Sequence, residues 1–294
     1  MQLTSRTVLI TGGTSGIGFA LAKLLLARGN TVLVTGRDPD RLDAARGALP
    51  GVHALQSDAR DPAAIRALCE RVTAEFPALD VVVNNAGVMR NLDFAAVGRE
   101  GAPPDALDDV TREVDLGLSG PVVMAQQFLP HLRARAAAAG TAGRGALLVN
   151  VTSGLAFVPY PLSPVYSAAK AGLHAFTRVL RVQLAGTGVA VVELAPPPVE
   201  TPLFRGEFAE ATRGQKAMDP AALAERAVAG IEAGRVEIRP GLSNALKVAS
   251  RVAPQLAFQQ LAREVLPKRP PARPPADTAD GARPAGMRRA GARV

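Results

Sequence analysis

Near its start the chain passes from a short apolar run, Thr7-Val-Leu-Ile-Thr11, through Gly12-Gly-Thr-Ser-Gly16-Ile-Gly18, into 19–28, a stretch of helical length and composition. A run that is apolar at consecutive positions suits a strand covered on both faces, the condition of a parallel sheet. Glycines between such a strand and a helix let the backbone approach an anion with no Cβ in the way. The helix N-terminus then presents unbonded N–H groups to it. A parallel strand also reaches its neighbour only by a crossover, so further strand–helix units must follow.

They do. Thr31–Thr35, Val52–Asp58, Asp80–Asn84, Ala146–Val151, Val189–Leu194 and Val236–Arg239 read as further strands. Helical patterns fill 62–76, 163–185 and 220–233. Another runs from Leu107 to about Arg135, interrupted around Gly117 to Pro121, and a last one spans 242–266 with a break at Pro254. The stretches 88–109 and 136–145 read as irregular. The alternation predicts an α/β fold, a Rossmann-like doubly wound parallel sheet of about seven strands in a single domain, with ligands at the carboxyl ends of the strands.

The net charge of +8 would suit nucleic acid if it were spread over the fold. Seven basic residues against two acidic ones lie within 267–294, a Pro/Arg/Ala-rich stretch expected to be a disordered tail. The body is close to neutral, has no Trp, and carries no nucleic-acid motif, so nucleic acid is not an expected partner. Cys69 is the only cysteine, and His53, His131 and His174 lack ligand spacing, so neither disulfide nor metal is expected. No apolar run approaches a membrane span, and the first strand leaves no room for a signal peptide. A cytoplasmic location is expected.

Chemistry concentrates at Ser163-Pro-Val-Tyr166-Ser-Ala-Ala-Lys170. Tyr166 and Lys170 stand one helical turn apart and emerge on one face. A phenol is a poor acid or base at neutral pH, and a neighbouring ammonium is expected to pull its pKa down toward the working range. That makes a general acid/base for an alcohol or carbonyl. Ser153, at the end of a strand, is placed to hydrogen-bond the same oxygen. At the tip of the second strand, where an acidic residue would bind the ribose hydroxyls of NAD, the chain has Gly36 and then Arg37. A guanidinium there suits a 2′-phosphate, so NADP(H) is favoured and NAD(H) is the alternative. Asp58 and Ala59 end the third strand, where an adenine would lie.

Taken together and in order, Thr11-Gly-x-x-x-Gly-Ile-Gly18, Asn84-Asn-Ala-Gly87, Ser153, Tyr166-x-x-x-Lys170 and the segment from Pro196 to Thr201 resemble the short-chain dehydrogenase/reductases. Within that family the 154–159, 164–166 and 193–201 segments are similar to DltE-type oxidoreductases. The resemblance implies a catalytic domain over 1–240, a helical extension over 241–266 and a tail over 267–294. It implies hydride transfer between a nicotinamide cofactor and a carbonyl or alcohol, with Tyr166 as acid/base, Ser153 polarising the substrate oxygen, and Lys170 holding the nicotinamide ribose. Gly12, Thr14, Ser15, Gly16, Ile17 and Gly18 would bind the pyrophosphate and nearby ribose. Asn85, Ala86 and Gly87 would line the nicotinamide side, and Pro196, Pro197, Val199 and Thr201 the carboxamide.

Two positions depart from the family pattern. Gly117 stands where an Asn usually supports a proton-relay water, and Pro196-Pro197 replaces the usual Pro-Gly. Phe157, Val158, Tyr160, Leu162 and 203–216 are expected to build an apolar pocket for a small carbonyl or alcohol substrate. The helices at 107–135 and 163–186 pair subunits in this family, which implies a homodimer or homotetramer. The competing expectation, motivated by Gly117 and the basic tail, is a dinucleotide-binding scaffold or sensor with little catalysis.

Overall fold

The computed structural model describes residues 1–97, 107–139 and 145–265. The expected 267–294 tail lies outside them, as do 98–106 of the first irregular stretch and 140–144 of the second. Seven parallel strands form one sheet in the order β3-β2-β1-β4-β5-β6-β7. They are β1 (Thr7–Thr11), β2 (Thr31–Gly36), β3 (His53–Gln56), β4 (Leu79–Asn84), β5 (Ala146–Val151), β6 (Val189–Leu194) and β7 (Glu237–Ile238). The order reverses between β1 and β4, opening a crevice at the carboxyl ends of the central strands.

The period-2 pleat splits the core in two. Val8 and Ile10 point to the layer of α1 (Gly16–Ala27), α2 (Pro39–Ala48) and α8 (Pro220–Glu232). Leu9 points to the opposite layer, where α3 (Pro62–Glu75), α5 (Gly120–Ala138) and α6 (Pro164–Gln183) bury Phe128 and Leu132 completely. Asp38, Asp61 and Asp219 cap α2, α3 and α8, each followed by Pro at the first helical position.

Three features differ from the sequence reading. Helix α1 begins at Gly16, so Gly16 and Gly18 belong to its first turn and only Gly12–Ser15 forms the bend. Helix α2 has no counterpart among the expected elements, because its polar composition masks a capped start at Asp38-Pro39. The interruption at Gly117 is a single π-helical turn, Asp115–Ser119, joining α4 (Leu107–Val114) to α5 without a break. Close packing explains the two glycines in and beside it: a Cβ on Gly117 would lie 2.8 Å from the Ala169 Cβ, and one on Gly120 2.2 Å from the Ala59 carbonyl oxygen. The C-terminal pattern does split, into α9 (Leu242–Val252) and α10 (Pro254–Val265). Among the described residues no helix is long and apolar enough to cross a membrane.

Candidate active site

The carboxyl ends of the strands open into a cavity of about 900 Å³, at the upper end of small-molecule sites. Gly12, Thr14, Ser15, Gly16 and Ile17 line it from the β1–α1 bend, Arg37 from the end of β2, and Asp58 and Ala59 from the end of β3. Asn85, Ala86 and Gly87 follow β4, Ser153 follows β5, and Tyr166 and Lys170 come from α6. Pro196, Pro197, Val199 and Thr201 close the far side after β6. Of the expected catalytic and cofactor-binding residues, Gly18 alone does not reach the cavity. It sits beneath the bend, where a Cβ would lie 2.5 Å from Asn85 Nδ2.

Local geometry explains the bend. Gly12 has φ +64°, and a Cβ there would meet the Ala86 Cα at 2.9 Å, so the two loops touch backbone to backbone. Thr11 Oγ1 accepts the N–H groups of Asn85 and Ala86 at 3.0 and 3.1 Å. Asn85 Nδ2 donates to the Thr11 and Gly12 carbonyls, so its amide nitrogen braces the bend. Ser15, at the N-cap of α1, makes no side-chain capping bond, unlike the caps of α2, α3 and α8. Hydroxyl and first-turn amides therefore stay available to an anion.

At the adenosine end Arg37 and Arg41 flank the rim. Asp58 is gripped by Arg60 through Nε at 3.0 Å and Nη2 at 2.6 Å, which holds its carboxyl below the usual range. Ser57 Oγ is buried in the cavity wall without a hydrogen-bond partner. An unspent buried hydroxyl, a bend opened by two glycines and a guanidinium rim fit the phosphate and ribose groups of a dinucleotide. Arg41, Arg60 and Ser57 had no motif to mark them in the sequence.

At the other end Ser153 begins a short 3₁₀ turn, Gly154–Ala156. Its Oγ accepts the Leu155 N–H at 3.1 Å and sits near enough to the Tyr166 phenol to favour its ionised form. Lys170 Nζ donates to the Val151 carbonyl at 2.9 Å and lies 5.7 Å from the centre of the Tyr166 ring. Burial dominates both groups. It pushes the Tyr166 phenol up to about 12, against the pull of Ser153 and with help from the Glu113 charge. It pushes the Lys170 ammonium down to about 8. The expected depression of the phenol by Lys170 is thus not a property of the protein alone: the ammonium sits over the ring and burial outweighs it.

The wall expected to take the substrate holds Tyr160, Leu203, Phe204, Thr212, Gln215 and Lys216. Phe157, Val158 and Leu162 are not in the wall. Val158 is core, and Phe157 stacks edge-on against His174. Their place is taken by α9 and α10, through Leu242, Ala245, Leu246, Ala249, Ala257 and Leu261. A buried chain of polar contacts fastens α9. Thr152 Oγ1 donates to Glu193 at 2.7 Å, His174 Nδ1 meets the same carboxylate at 2.8 Å, and Lys247 Nζ lies 3.1 Å from His174 Nε2. Lys247 can only donate, so the ring proton sits on Nδ1 and is given to Glu193. Among the described residues no group of three or more His, Cys, Asp or Glu could hold a metal ion.

Comparisons with known proteins agree with this geometry. The short chain dehydrogenase family model matches residues 6–212. The uncharacterized oxidoreductase DltE of Bacillus subtilis is 39% identical over 85% of this chain and 94% of its own. The cis-4-hydroxycyclohexanecarboxylate dehydrogenase of Sinomonas cyclohexanicum is 34% identical over 73% of this chain and 82% of its own. A short chain dehydrogenase from Burkholderia cenocepacia, solved in complex with NADP, superposes with a TM-score of 0.72 at 22% identity, covering 89% of this chain and 99% of that one.

The clasp on α9 yields a prediction. Lys247→Ala removes a charged donor, worth about 1–2 kcal/mol of local stability. Amide exchange across α9 should then rise roughly tenfold while the sheet strands keep their protection. Unchanged exchange in α9 would show that His174 and Lys247 do not hold it.

Proposed function

The chain belongs to the short-chain dehydrogenase family, and from that premise we propose that it moves a hydride between NADP(H) and the carbonyl or secondary alcohol of a small, largely apolar substrate. As a member it is an oxidoreductase acting on CH–OH groups. The observation that carries the finer reading is the meeting of Ser153, Tyr166 and Lys170 in the same cavity as the β1–α1 bend. When bound, the nicotinamide supplies or accepts the hydride. Ser153 fixes the substrate oxygen, and the Tyr166 hydroxyl gives it a proton on reduction while its phenolate takes one on oxidation. Lys170 keeps a positive charge beside the phenol, anchored by the Val151 carbonyl.

The preference for NADP(H) rests on Arg37 and Arg41 at the rim and on the absence of a carboxylate at the tip of β2. The Asp58 carboxylate is already spent on Arg60, so it adds little repulsion against a phosphate. The apolar α9 and α10 side chains favour a substrate with hydrocarbon surface over a fully polar one. Self-association in the family manner fits exposed Val179 and Val182 on α6. A cytoplasmic location remains the reading adopted. Gly117, backed onto Ala169 with no room for an amide, is the observation that favours a binding protein with slow turnover.

Two substitutions test the proposal. Tyr166→Phe should lower NADPH-dependent reduction of a panel of aldehydes and ketones by at least about a hundredfold, with cofactor affinity retained. Arg37→Ser should weaken NADPH binding by about tenfold or more and leave NADH unaffected. Full turnover by the Tyr166→Phe protein, or an equal loss for both cofactors in the Arg37→Ser protein, contradicts the respective claim. Tight NADPH binding with no turnover across the panel would favour the binding protein.

A further inference from the structure

Glu113, in the last turn of α4, is 1% exposed, and neither the fold nor the chemistry above uses it. Its Oε1 accepts the backbone N–H of Arg90 at 2.6 Å, tying α4 to the segment that leaves β4. Its Oε2 accepts no hydrogen bond of ordinary length, although the Tyr166 amide lies near enough to favour the anion. That amide belongs to the first turn of α6, whose own N-cap, Ser163, makes no side-chain capping bond and keeps its Oγ buried and unpartnered. A carboxylate supplied by another helix therefore faces the amides that Ser163 leaves open, a favourable place for negative charge.

We propose that Glu113 is a positioning residue for Tyr166: its carboxylate docks the first turn of α6 against the segment after β4, and its charge sets how readily the Tyr166 phenol releases a proton. The proposal rests on the reading of Tyr166 as the acid/base. The charges facing Glu113 are few. Arg90 comes from the segment after β4, Glu207 from the segment after α7 (Pro202–Arg205), and Tyr166 from α6. On its own helix Asp109 pairs with Arg90 and with Arg112, both at 3.2 Å, and Arg90 also pairs with Glu207. Arg90 is thus shared among carboxylates and neutralises Glu113 only in part. Burial pushes the Glu113 carboxyl up to about 7, with the Arg90 amide and guanidinium opposing and Glu207 assisting.

Charge fixes the sign of the effect. Below about pH 7 Glu113 is neutral and leaves the phenol unopposed; above it the anion repels a phenolate and raises the Tyr166 pKa. Glu113→Gln keeps an oxygen for the Arg90 amide and removes the charge. With no Trp and only Tyr160 and Tyr166, the chain allows a direct optical test. In a Tyr160→Phe background the tyrosinate absorbance of Tyr166 is followed by stopped-flow pH jump, before unfolding, with and without Glu113→Gln. The Glu113→Gln variant should ionise at least about half a pH unit lower, roughly threefold in proton affinity. Equal midpoints would overturn the proposal. Should that variant fail to fold, Glu113→Asp carries the test: one methylene fewer draws the charge back from Tyr166, so the midpoint should still fall, and an unchanged midpoint would overturn it. Neither readout needs turnover, so it fails or stands separately from the catalytic reading.

Discussion

An ammonium buried to 3% exposure, with the Val151 carbonyl at 2.9 Å as its anchor, is the contact on which the rest of the site depends. A charge so placed is costly, and burial brings the Lys170 pKa down to about 8. It persists because three elements converge on it. Strand β5 ends with its carbonyl aimed at Nζ, α6 delivers Lys170 one turn after Tyr166, and the π turn at Gly117 lets α6 approach closely through Ala169. Around this point the sheet supplies rigid strand ends and the loops supply the cradle. Binding groups on loops held by a fixed scaffold is the usual division of labour.

The proton chemistry is then a balance that the protein leaves unfinished. Burial and the Glu113 charge hold the phenol protonated, while Ser153 pulls the other way. Under the proposed role of Tyr166, a protonated phenol is the state that would quench an alkoxide. Working as a base requires further positive charge beside the ring. The Glu193, His174 and Lys247 chain plays a different part. It secures the apolar cavity wall contributed by α9 without touching Tyr166.

Much of this was legible in the chain, for physical reasons. Strands β5 and β6 have the bounds their residues imply, because each is a largely apolar buried run, broken only by Asn150 or Glu193, and Thr152-Ser153 or Pro196-Pro197 follows close behind. That Gly12, Tyr166 and Lys170 stand at one cavity was legible because backbone approach and helical spacing are local rules. Helix α2 is hidden by its polarity, and the π turn reads as a break because glycine ordinarily ends helices. Long-range partnerships were illegible. His174 and Lys247 are 73 positions apart, and Asn85 reads as a ligand contact although its amide braces the Gly12 bend. Phe157 and Leu246 are both apolar; only packing decides that the first turns to His174 and the second to the cavity.

If Tyr166 is the acid/base facing the dinucleotide crevice, a cationic cofactor ring should complete its activation. Carbon-13 NMR of protein labelled at the tyrosine Cζ gives two signals, one of them from Tyr166. Saturation with NADP⁺ should lower the Tyr166 midpoint from near 12 by about two units or more, while Tyr160 moves little. A Tyr166 midpoint unchanged by saturating NADP⁺ would contradict the account.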